Sequence, residues 1–273
     1  MLWRGSRPGR SDRDDIVDIW AQVIGCCQRE RSSYDLGRPA ADGGRRNAST
    51  RFRSGILAVL ASVAWIGSAA ATQINQLTVM PLGDSITSGF PDSRYGGYRR
   101  LLGELLAEDG YSFKFVGSQK SGVGIAPELD NEGHNGWTIL QLEHGLDNEG
   151  WLETYKPDLV LLHIGTNDLA RAYSSAARAD LSALIDDILR RLPSARLIVA
   201  QIIPYRSGLS PGQALYDAAI PPIVASKGSR ASVVDMRAVL SEADYADEIH
   251  PNASGYDKLA RAWEKAIRAS VRP

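Results

Sequence analysis

One stretch constrains this chain more than any other. It runs from Leu77 to Thr87 and reads Leu-Thr-Val-Met-Pro-Leu-Gly-Asp-Ser-Ile-Thr. Its apolar first half predicts a buried strand, and Pro81 and Gly83 predict that the strand ends abruptly just before Ser85. In α/β proteins, chemistry is placed at the carboxyl ends of the strands. Ser85 is therefore a candidate nucleophile, provided that the chain also supplies a base and a group that binds an oxyanion.

From residue 77 onward, apolar strand-like runs alternate with longer segments of helical period. The strand-like runs after the first are 113–116, 159–164, 197–203 and 232–234. The helical segments are 98–108, 138–148, 176–191, 211–226 and 254–270, and Pro221-Pro222 is expected to break or kink the fourth. The segment 122–136 is expected to be a long loop. Five strands alternating with helices predict an α/β fold, a three-layer α/β/α sandwich around a five-stranded parallel sheet.

The amino-terminal quarter differs in character from the rest. Residues 1–50 are rich in Arg, Gly and Ser without a sustained apolar period, which predicts a disordered extension or an over-extended start. Residues 51–71 have a basic beginning, a short apolar middle and small residues at the end, which predicts a signal peptide cleaved near Ala71. A membrane anchor is the alternative, because the apolar run is close to the lower length limit for crossing a bilayer.

The remaining segment, 72–273, is expected to be one catalytic domain, secreted to the periplasm or the exterior, with no stable membrane association after cleavage. Residues 1–71 hold 11 of the 31 basic and 7 of the 32 acidic residues, which leaves 20 bases, 25 acids and a net charge of −5. This balance argues against nucleic acid as a partner. Both cysteines, Cys26 and Cys27, lie before residue 72, so a thiolate nucleophile is not expected. No pair of histidines has metal-ligand spacing, so a catalytic metal is not predicted.

Three candidate site residues follow predicted strands, namely Ser85, Gly117 and Asn167. They should meet at one edge of a parallel sheet. Asp247 and His250 lie in a loop before the last helical segment and complete a possible triad in the order Ser, Asp, His. The oxyanion would be bound by the backbone N–H groups of Ser85 and Gly117 and by the side-chain amide of Asn167.

These residues resemble the SGNH or GDSL hydrolases, whose four sequence blocks look like Gly83-Asp84-Ser85, Gly117, Gly165-Thr166-Asn167-Asp168 and Asp247-Glu248-Ile249-His250. The runs 80–87, 96–99, 132–137 and 250–252 are similar to the acetylxylan esterases of carbohydrate esterase family 3. The resemblance implies a flavodoxin-like sandwich and hydrolysis of acetyl esters on plant polysaccharide without a cofactor. It therefore favours an acyl-enzyme mechanism on Ser85.

One departure from the family pattern concerns Glu248, which places a second carboxylate beside Asp247. We expect Asp247 to orient His250, because it occupies the family position three residues before the histidine. Four further residues are expected to contact substrate or to support residues that do, namely Asp84, Arg99, His134 and Trp137. Trp137, Trp151, Tyr95 and Tyr98 could each stack on a sugar ring, although a single aromatic residue more often serves packing.

The expected substrate is an acetylated polysaccharide or a small ester, and the chain is expected to be a monomer. Within the same superfamily, the alternative is a general short-chain lipolytic esterase or thioesterase. The alternative from another class is a non-catalytic carbohydrate-binding protein on this scaffold. Such a protein should have lost Ser85, Asn167 or His250, and all three are present.

Overall fold

The computed structural model describes residues 76–91, 93–121, 129–171 and 176–271. The predicted extension at 1–50 and the predicted signal peptide at 51–71 lie outside the described residues, as do residues 72–75 of the predicted domain. Within the described ranges, no helix combines the length and the apolar character needed to cross a membrane.

The described residues contain seven strands and eight α-helices. The strands are β1 (Leu77–Gly83), β2 (Phe113–Phe115), β3 (Gln119–Ser121), β4 (Leu129–Gly133), β5 (Leu159–His163), β6 (Arg196–Gln201) and β7 (Ala231–Asp235). The helices are α1 (Ser85–Ser88), α2 (Tyr98–Glu108), α3 (Ile139–Glu149), α4 (Trp151–Tyr155), α5 (Thr166–Arg171), α6 (Ala177–Arg191), α7 (Pro211–Ala225) and α8 (Ala253–Ser270). Two 3₁₀ turns lie at Ser93–Tyr95 and Glu242–Asp244.

The sheet contains the five predicted parallel strands in the order β2-β1-β5-β6-β7. This confirms the predicted α/β fold with a mostly parallel sheet flanked by helices. The predicted count of five strands was too low, because β3 and β4 join the sheet and give it seven strands in the described part of the chain. The chain moves from β1 to β2 on one side and then returns to β5 on the other, so the order reverses beside β1. Such a reversal opens a crevice at the carboxyl ends of the strands, which is where ligands bind in this architecture.

Side chains alternate along β1 and separate two apolar cores. Val79 packs on one face of the sheet with α2 and α8, which contribute Leu102 and Trp263 among others. Met80 and Leu82 pack on the opposite face with α3, α4, α6 and α7. Because successive side chains of a strand point to opposite faces, helices pack on both faces of the sheet and the three predicted layers form. The carboxyl edge of the sheet is left for polar residues.

The segment 122–136, predicted to be a loop, contains β4, which pairs antiparallel with β3 and parallel with the second half of β1. The first half of β1 pairs with β2 instead, so β2 and β4 share one edge of the same strand. The loop prediction was wrong there because β4 reads Leu-Asp-Asn-Glu-Gly and has no apolar run. Its polar side chains are nevertheless buried, since Asn131 and Glu132 are both 0% exposed and hydrogen-bonded.

Helix α7 continues through Pro221 and Pro222 to Ala225, so the predicted break is absent. Each proline removes one backbone donor, and the Asp217 carbonyl oxygen, four residues before Pro221, instead accepts a hydrogen bond from Gln201 Nε2 at 2.8 Å. The start of α7 is fixed by a capping box between Ser210 and Gln213, with Pro211 at the first helical position.

Candidate active site

Ser85 is the first residue of α1, directly after β1. Asp84 caps this helix by accepting a hydrogen bond from the Ile86 amide at 3.0 Å. Gly83 must lack a side chain, because a Cβ there would overlap the carbonyl oxygen of His163 on β5. The strand and the helix therefore meet in a tight turn that holds Ser85 at the carboxyl edge of the sheet.

The side chains of Ser85, His250 and Asp247 form one continuous path. Ser85 Oγ lies 2.9 Å from His250 Nε2, and His250 Nδ1 lies 2.8 Å from Asp247 Oδ2. A carboxylate can only accept at Nδ1, so the imidazole carries its proton there and offers Nε2 as an acceptor for the serine hydroxyl. The path is shielded from solvent, since Ser85 is 5% exposed and His250 is 2% exposed.

Asp247, rather than Glu248, contacts the imidazole. The Oδ1 atom of Asp247 also accepts hydrogen bonds from the backbone amides of Ile249 and His250, each at 2.7 Å. Burial raises the pKa of Asp247, but the hydrogen bonds and the charge of His250 outweigh it, so the pKa lies below its ordinary value. Glu248 turns away and accepts a hydrogen bond from the Ser207 amide at 2.9 Å.

Gly117 and Asn167 lie at the ends of the strands on either side of β1. Gly117 follows β2, and a Cβ there would overlap the backbone of Asn131 on β4. Asn167 lies in the first turn of α5 after β5 and is 2% exposed. Its Nδ2 donates a hydrogen bond to the Trp137 carbonyl oxygen at 2.9 Å, which fixes the orientation of the amide group. The sheet thus brings Ser85, Gly117 and Asn167 to one edge.

A buried carboxylate, Glu132 on β4, supports the Gly117 turn. Its oxygens accept hydrogen bonds from the Ser118 amide at 2.8 Å and from the Ser118 hydroxyl at 2.6 Å. The His134 Nε2 atom lies 2.7 Å from Glu132 Oε1. The imidazole stacks on Trp137 at 4.0 Å between ring centroids and on Trp151 at 4.8 Å. Glu132 and Ser118 were not among the predicted site residues, although Glu132 begins the run 132–137 on which the family resemblance partly rested.

The contacts of Glu132, His134 and Trp137 form a cluster that connects Gly117 with Asn167, the residues that follow the strands on either side of β1. Its Glu132 end holds the residue after Gly117, and its Trp137 end accepts the hydrogen bond from Asn167. His134 joins the two ends through one hydrogen bond and one ring stack. His134 therefore contacts Glu132, which holds the Gly117 turn, and Trp137 contacts Asn167 directly.

Arg99 supports α1, the short helix that begins at Ser85. Its fully buried guanidinium donates to the carbonyl oxygens of Thr87 and Ser88 in α1, to the Leu129 carbonyl oxygen in β4, and to the Ser121 hydroxyl. Burial lowers the pKa of Arg99 to about 10, which leaves the group charged at neutral pH. Arg99 thus connects α1 with the β3–β4 pair, and it is 0% exposed.

Asp84 is 0% exposed, and burial raises its pKa from 3.8 to about 7 despite the hydrogen bond from the Ile86 amide. Its role in the structure is that of a helix cap. Asp168, the neighbour of Asn167, places both carboxylate oxygens 3.2 Å from the Ile139 amide at the start of α3. In the described part of the chain, no group of three His, Cys, Asp or Glu side chains is arranged to hold a metal ion.

The fold is a three-layer α/β protein, and the polar residues of the candidate site lie beside β1, where the strand order reverses. The family model of GDSL-like lipases and acylhydrolases matches residues 82–258, which are 177 of the 273 residues. The chain therefore belongs to the GDSL-like lipase/acylhydrolase family, the SGNH hydrolases, and is a carboxylic ester hydrolase.

Among the proteins that resemble the chain are two solved structures and one multidomain relative. A family 3 carbohydrate esterase from Clostridium thermocellum is 36% identical, with a TM-score of 0.62 over 71% of this chain and 98% of that one. A family 3 carbohydrate esterase from Talaromyces cellulolyticus is 24% identical, with a TM-score of 0.60 over 71% and 97% of the two chains, and shows the common fold. A multidomain esterase of Ruminococcus flavefaciens is 31% identical over 244 residues, 79% of this chain and 31% of that protein. The chain thus spans less than a third of that relative.

Proposed function

We propose that the chain is a serine esterase that removes acetyl groups from polysaccharide, with acetylated xylan as the substrate. The observation that carries the proposal is the hydrogen-bonded path from Ser85 through His250 to Asp247, at the edge where Gly117 and Asn167 also lie. Similarity to a family 3 carbohydrate esterase and to a multidomain esterase supports a carbohydrate ester as the substrate.

In the first half of the reaction, the Ser85 hydroxyl attacks the acetyl carbon while His250 Nε2 takes its proton. Asp247 accepts the hydrogen bond from Nδ1–H and stabilises the imidazolium that forms. The imidazolium then gives its proton to the sugar oxygen as the bond between that oxygen and the acetyl carbon breaks. The products of this half are the free alcohol and an acetyl group esterified to Ser85.

The negative charge on the carbonyl oxygen is bound by the amides of Ser85 and Gly117 and by the Asn167 side chain. Donors fixed in advance need no reorganisation when the charge develops, and removing one of them typically costs about 3 to 4 kcal/mol. The contacts of Glu132 with Ser118 and of Trp137 with Asn167 provide that fixed geometry. In the second half, His250 deprotonates a water that releases acetate and restores Ser85.

A second candidate within the same class is a general short-chain esterase or thioesterase. The description of the matching family as lipases and acylhydrolases favours it. The same serine mechanism applies, and only the acyl group and the alcohol differ. The two candidates are separated by which ester is hydrolysed fastest.

We also propose that residues 72–273 form a secreted, monomeric catalytic domain after cleavage near Ala71. Amino-terminal sequencing of the secreted protein should find Thr72 as the first residue. An intact Met1 on the secreted protein would contradict the cleavage, and recovery only with membranes would favour the anchor.

The test compares acetate release from acetylated xylan with hydrolysis of p-nitrophenyl acetate and of a p-nitrophenyl ester of a longer acid. Ser85→Ala should abolish all three activities, and Ser226→Ala, an exposed serine at the end of α7, should abolish none. Circular dichroism of both variants checks that the fold is retained.

Release of acetate from xylan that disappears in Ser85→Ala would support the substrate and the nucleophile together. Activity confined to small synthetic esters would favour the general esterase. Retained activity in Ser85→Ala would refute the mechanism.

A further inference from the structure

A mainly apolar groove of about 500 Å³ lies beside the site, between the segment that follows α1 and the amino-terminal end of α8. We call it the Tyr95 groove. The lining residues that matter below are Pro91, Tyr95, Arg100, Pro251, Tyr256 and Asp257. A volume of this size lies within the range of small-molecule sites, and mainly apolar walls with a few polar groups are typical of them.

The groove is continuous with the backbone that carries the serine and the histidine. Pro251 directly follows His250, and Gly89, another lining residue, donates its amide to the Ser85 carbonyl oxygen at 3.0 Å. The Phe90 ring packs against the His250 ring at 4.6 Å, while the Phe90 carbonyl oxygen accepts a hydrogen bond from the Tyr256 hydroxyl at 2.5 Å. A ligand in the groove therefore lies next to the residues that hold the acid–base pair.

Of the four aromatic residues named as possible sugar platforms, only Tyr95 is exposed. Tyr98 is 1% exposed and Trp151 is 7% exposed, and Trp137 is stacked on His134. Tyr95 is 59% exposed, with the Arg94 guanidinium 5.9 Å from its ring centroid. A large aromatic ring left open to water beside a groove is a feature of binding surfaces.

A charged pair, Arg100 and Asp257, also lines the groove. Arg100 Nη2 lies 3.4 Å from Asp257 Oδ1, and the two side chains are 39% and 47% exposed. Exposed ion pairs of this kind contribute little to stability, and Arg100 Nη1 also lies 3.0 Å from Glu104 Oε1. A pyranose ring has an apolar C–H face that suits Tyr95 and hydroxyl groups at its edge that suit Arg100 and Asp257.

We propose that the Tyr95 groove binds one or two pyranose rings of the polysaccharide next to the acetylated sugar, with Tyr95 as the stacking platform. The inference rests on the proposed function, because it takes the alcohol part of the ester to be a polysaccharide. The inference adds to that function a binding site for the sugar rings that neighbour the acetylated one. The groove holds unesterified sugar rings, so its occupancy is measurable without hydrolysis.

The test titrates full-length Ser85→Ala protein with unesterified xylohexaose by isothermal titration calorimetry. Adding Tyr95→Ala should raise Kd by about tenfold, as expected for loss of one stacked ring. Adding Tyr95→Phe should restore most of the affinity. Leu215→Ala is the matched control, because Leu215 is 51% exposed on α7, on the opposite face of the sheet, and should leave Kd unchanged.

A kinetic measurement with Ser85 intact gives a second readout. Tyr95→Ala should lower kcat/KM on acetylated xylan about tenfold more than on p-nitrophenyl acetate, which has no sugar chain. Absence of xylohexaose binding, or equal affinity of the Tyr95→Ala and Leu215→Ala proteins, would overturn the proposal. The proposed substrate fails separately, if the unmodified protein hydrolyses p-nitrophenyl acetate but releases no acetate from xylan.

Discussion

The carboxylate of Glu132 accepts two hydrogen bonds from Ser118, one from the backbone amide at 2.8 Å and one from the hydroxyl at 2.6 Å. Glu132 is fully buried, and its third contact is the His134 ring. The peptide that follows Gly117 is therefore held by a side chain that is itself fixed by burial and by its contact with His134. This relationship makes Glu132 a positioning residue for the Gly117 amide.

Glu132→Gln keeps the shape of the side chain but replaces one acceptor oxygen with an NH₂ donor. We expect kcat on p-nitrophenyl acetate to fall by roughly 10- to 100-fold, less than the loss of a whole oxyanion donor. KM should change little, because the donor acts on charge that develops after binding. Glu153→Gln, at an exposed glutamate on α4, is the matched control. A rise in KM with kcat unchanged would contradict a positioning role.

Asn167 provides a direct test of the oxyanion site. Asn167→Ala removes the side-chain amide that the Trp137 carbonyl oxygen orients, and we expect kcat to fall by about 10²- to 10³-fold. The thermal midpoint of unfolding should show only a modest change. Asn148→Ala, at an exposed position on α3, controls for loss of an amide elsewhere. If Asn167→Ala retained full kcat on p-nitrophenyl acetate, the side chain would have no role in binding the oxyanion.

The positions of Ser85, Asn167 and His250 could be predicted because each is indicated by residues close to it in the sequence. The first two directly follow apolar runs, and the last is three residues from Asp247. Glu132 could not be assigned in this way, because its partner Ser118 is 14 residues away and lies across the β3–β4 pair. Its burial is a tertiary property, and its neighbours in sequence are as polar as those of a loop.

Tyr95 and Tyr98 illustrate the same limit at closer range. Tyr98 begins the apolar stripe of α2 that continues at Leu102, so the helical period places it in the core. Tyr95 lies in a 3₁₀ turn before that helix, where no period indicates which way a side chain points. The sequence therefore identified both as aromatic candidates, and only the structure separates the buried ring from the exposed one.

Two adjacent acids, Asp247 and Glu248, give a matched pair of variants. Asp247→Asn should lower kcat by roughly 10³- to 10⁴-fold, because an amide cannot stabilise the imidazolium and favours the wrong tautomer. Glu248→Gln should change kcat by less than about threefold, because Glu248 contacts Ser207 rather than the imidazole. Initial rates on p-nitrophenyl acetate measure both effects. A larger loss in Glu248→Gln than in Asp247→Asn would reverse the assignment of the acid.

The pKa of Asp84 links the serine turn to the pH dependence of stability. Burial raises this pKa from 3.8 to about 7, so the folded chain keeps a proton that the unfolded chain has already released between those pH values. The free energy of unfolding should therefore fall as pH rises through this window. Asp84→Asn stays neutral throughout and can still accept the hydrogen bond from the Ile86 amide.

The variant should consequently gain stability relative to the unmodified protein as pH increases from about 4 to about 7, by roughly 2 to 4 kcal/mol. Urea unfolding of both proteins at pH 5 and pH 8 measures this difference. The contribution of Asp217, whose pKa burial also raises to about 7, is present in both proteins and cancels. Asp186→Asn, at an exposed aspartate on α6, should show no such trend. A stability difference between Asp84→Asn and the unmodified protein that is independent of pH would mean that Asp84 is ionised in the folded protein at pH 5.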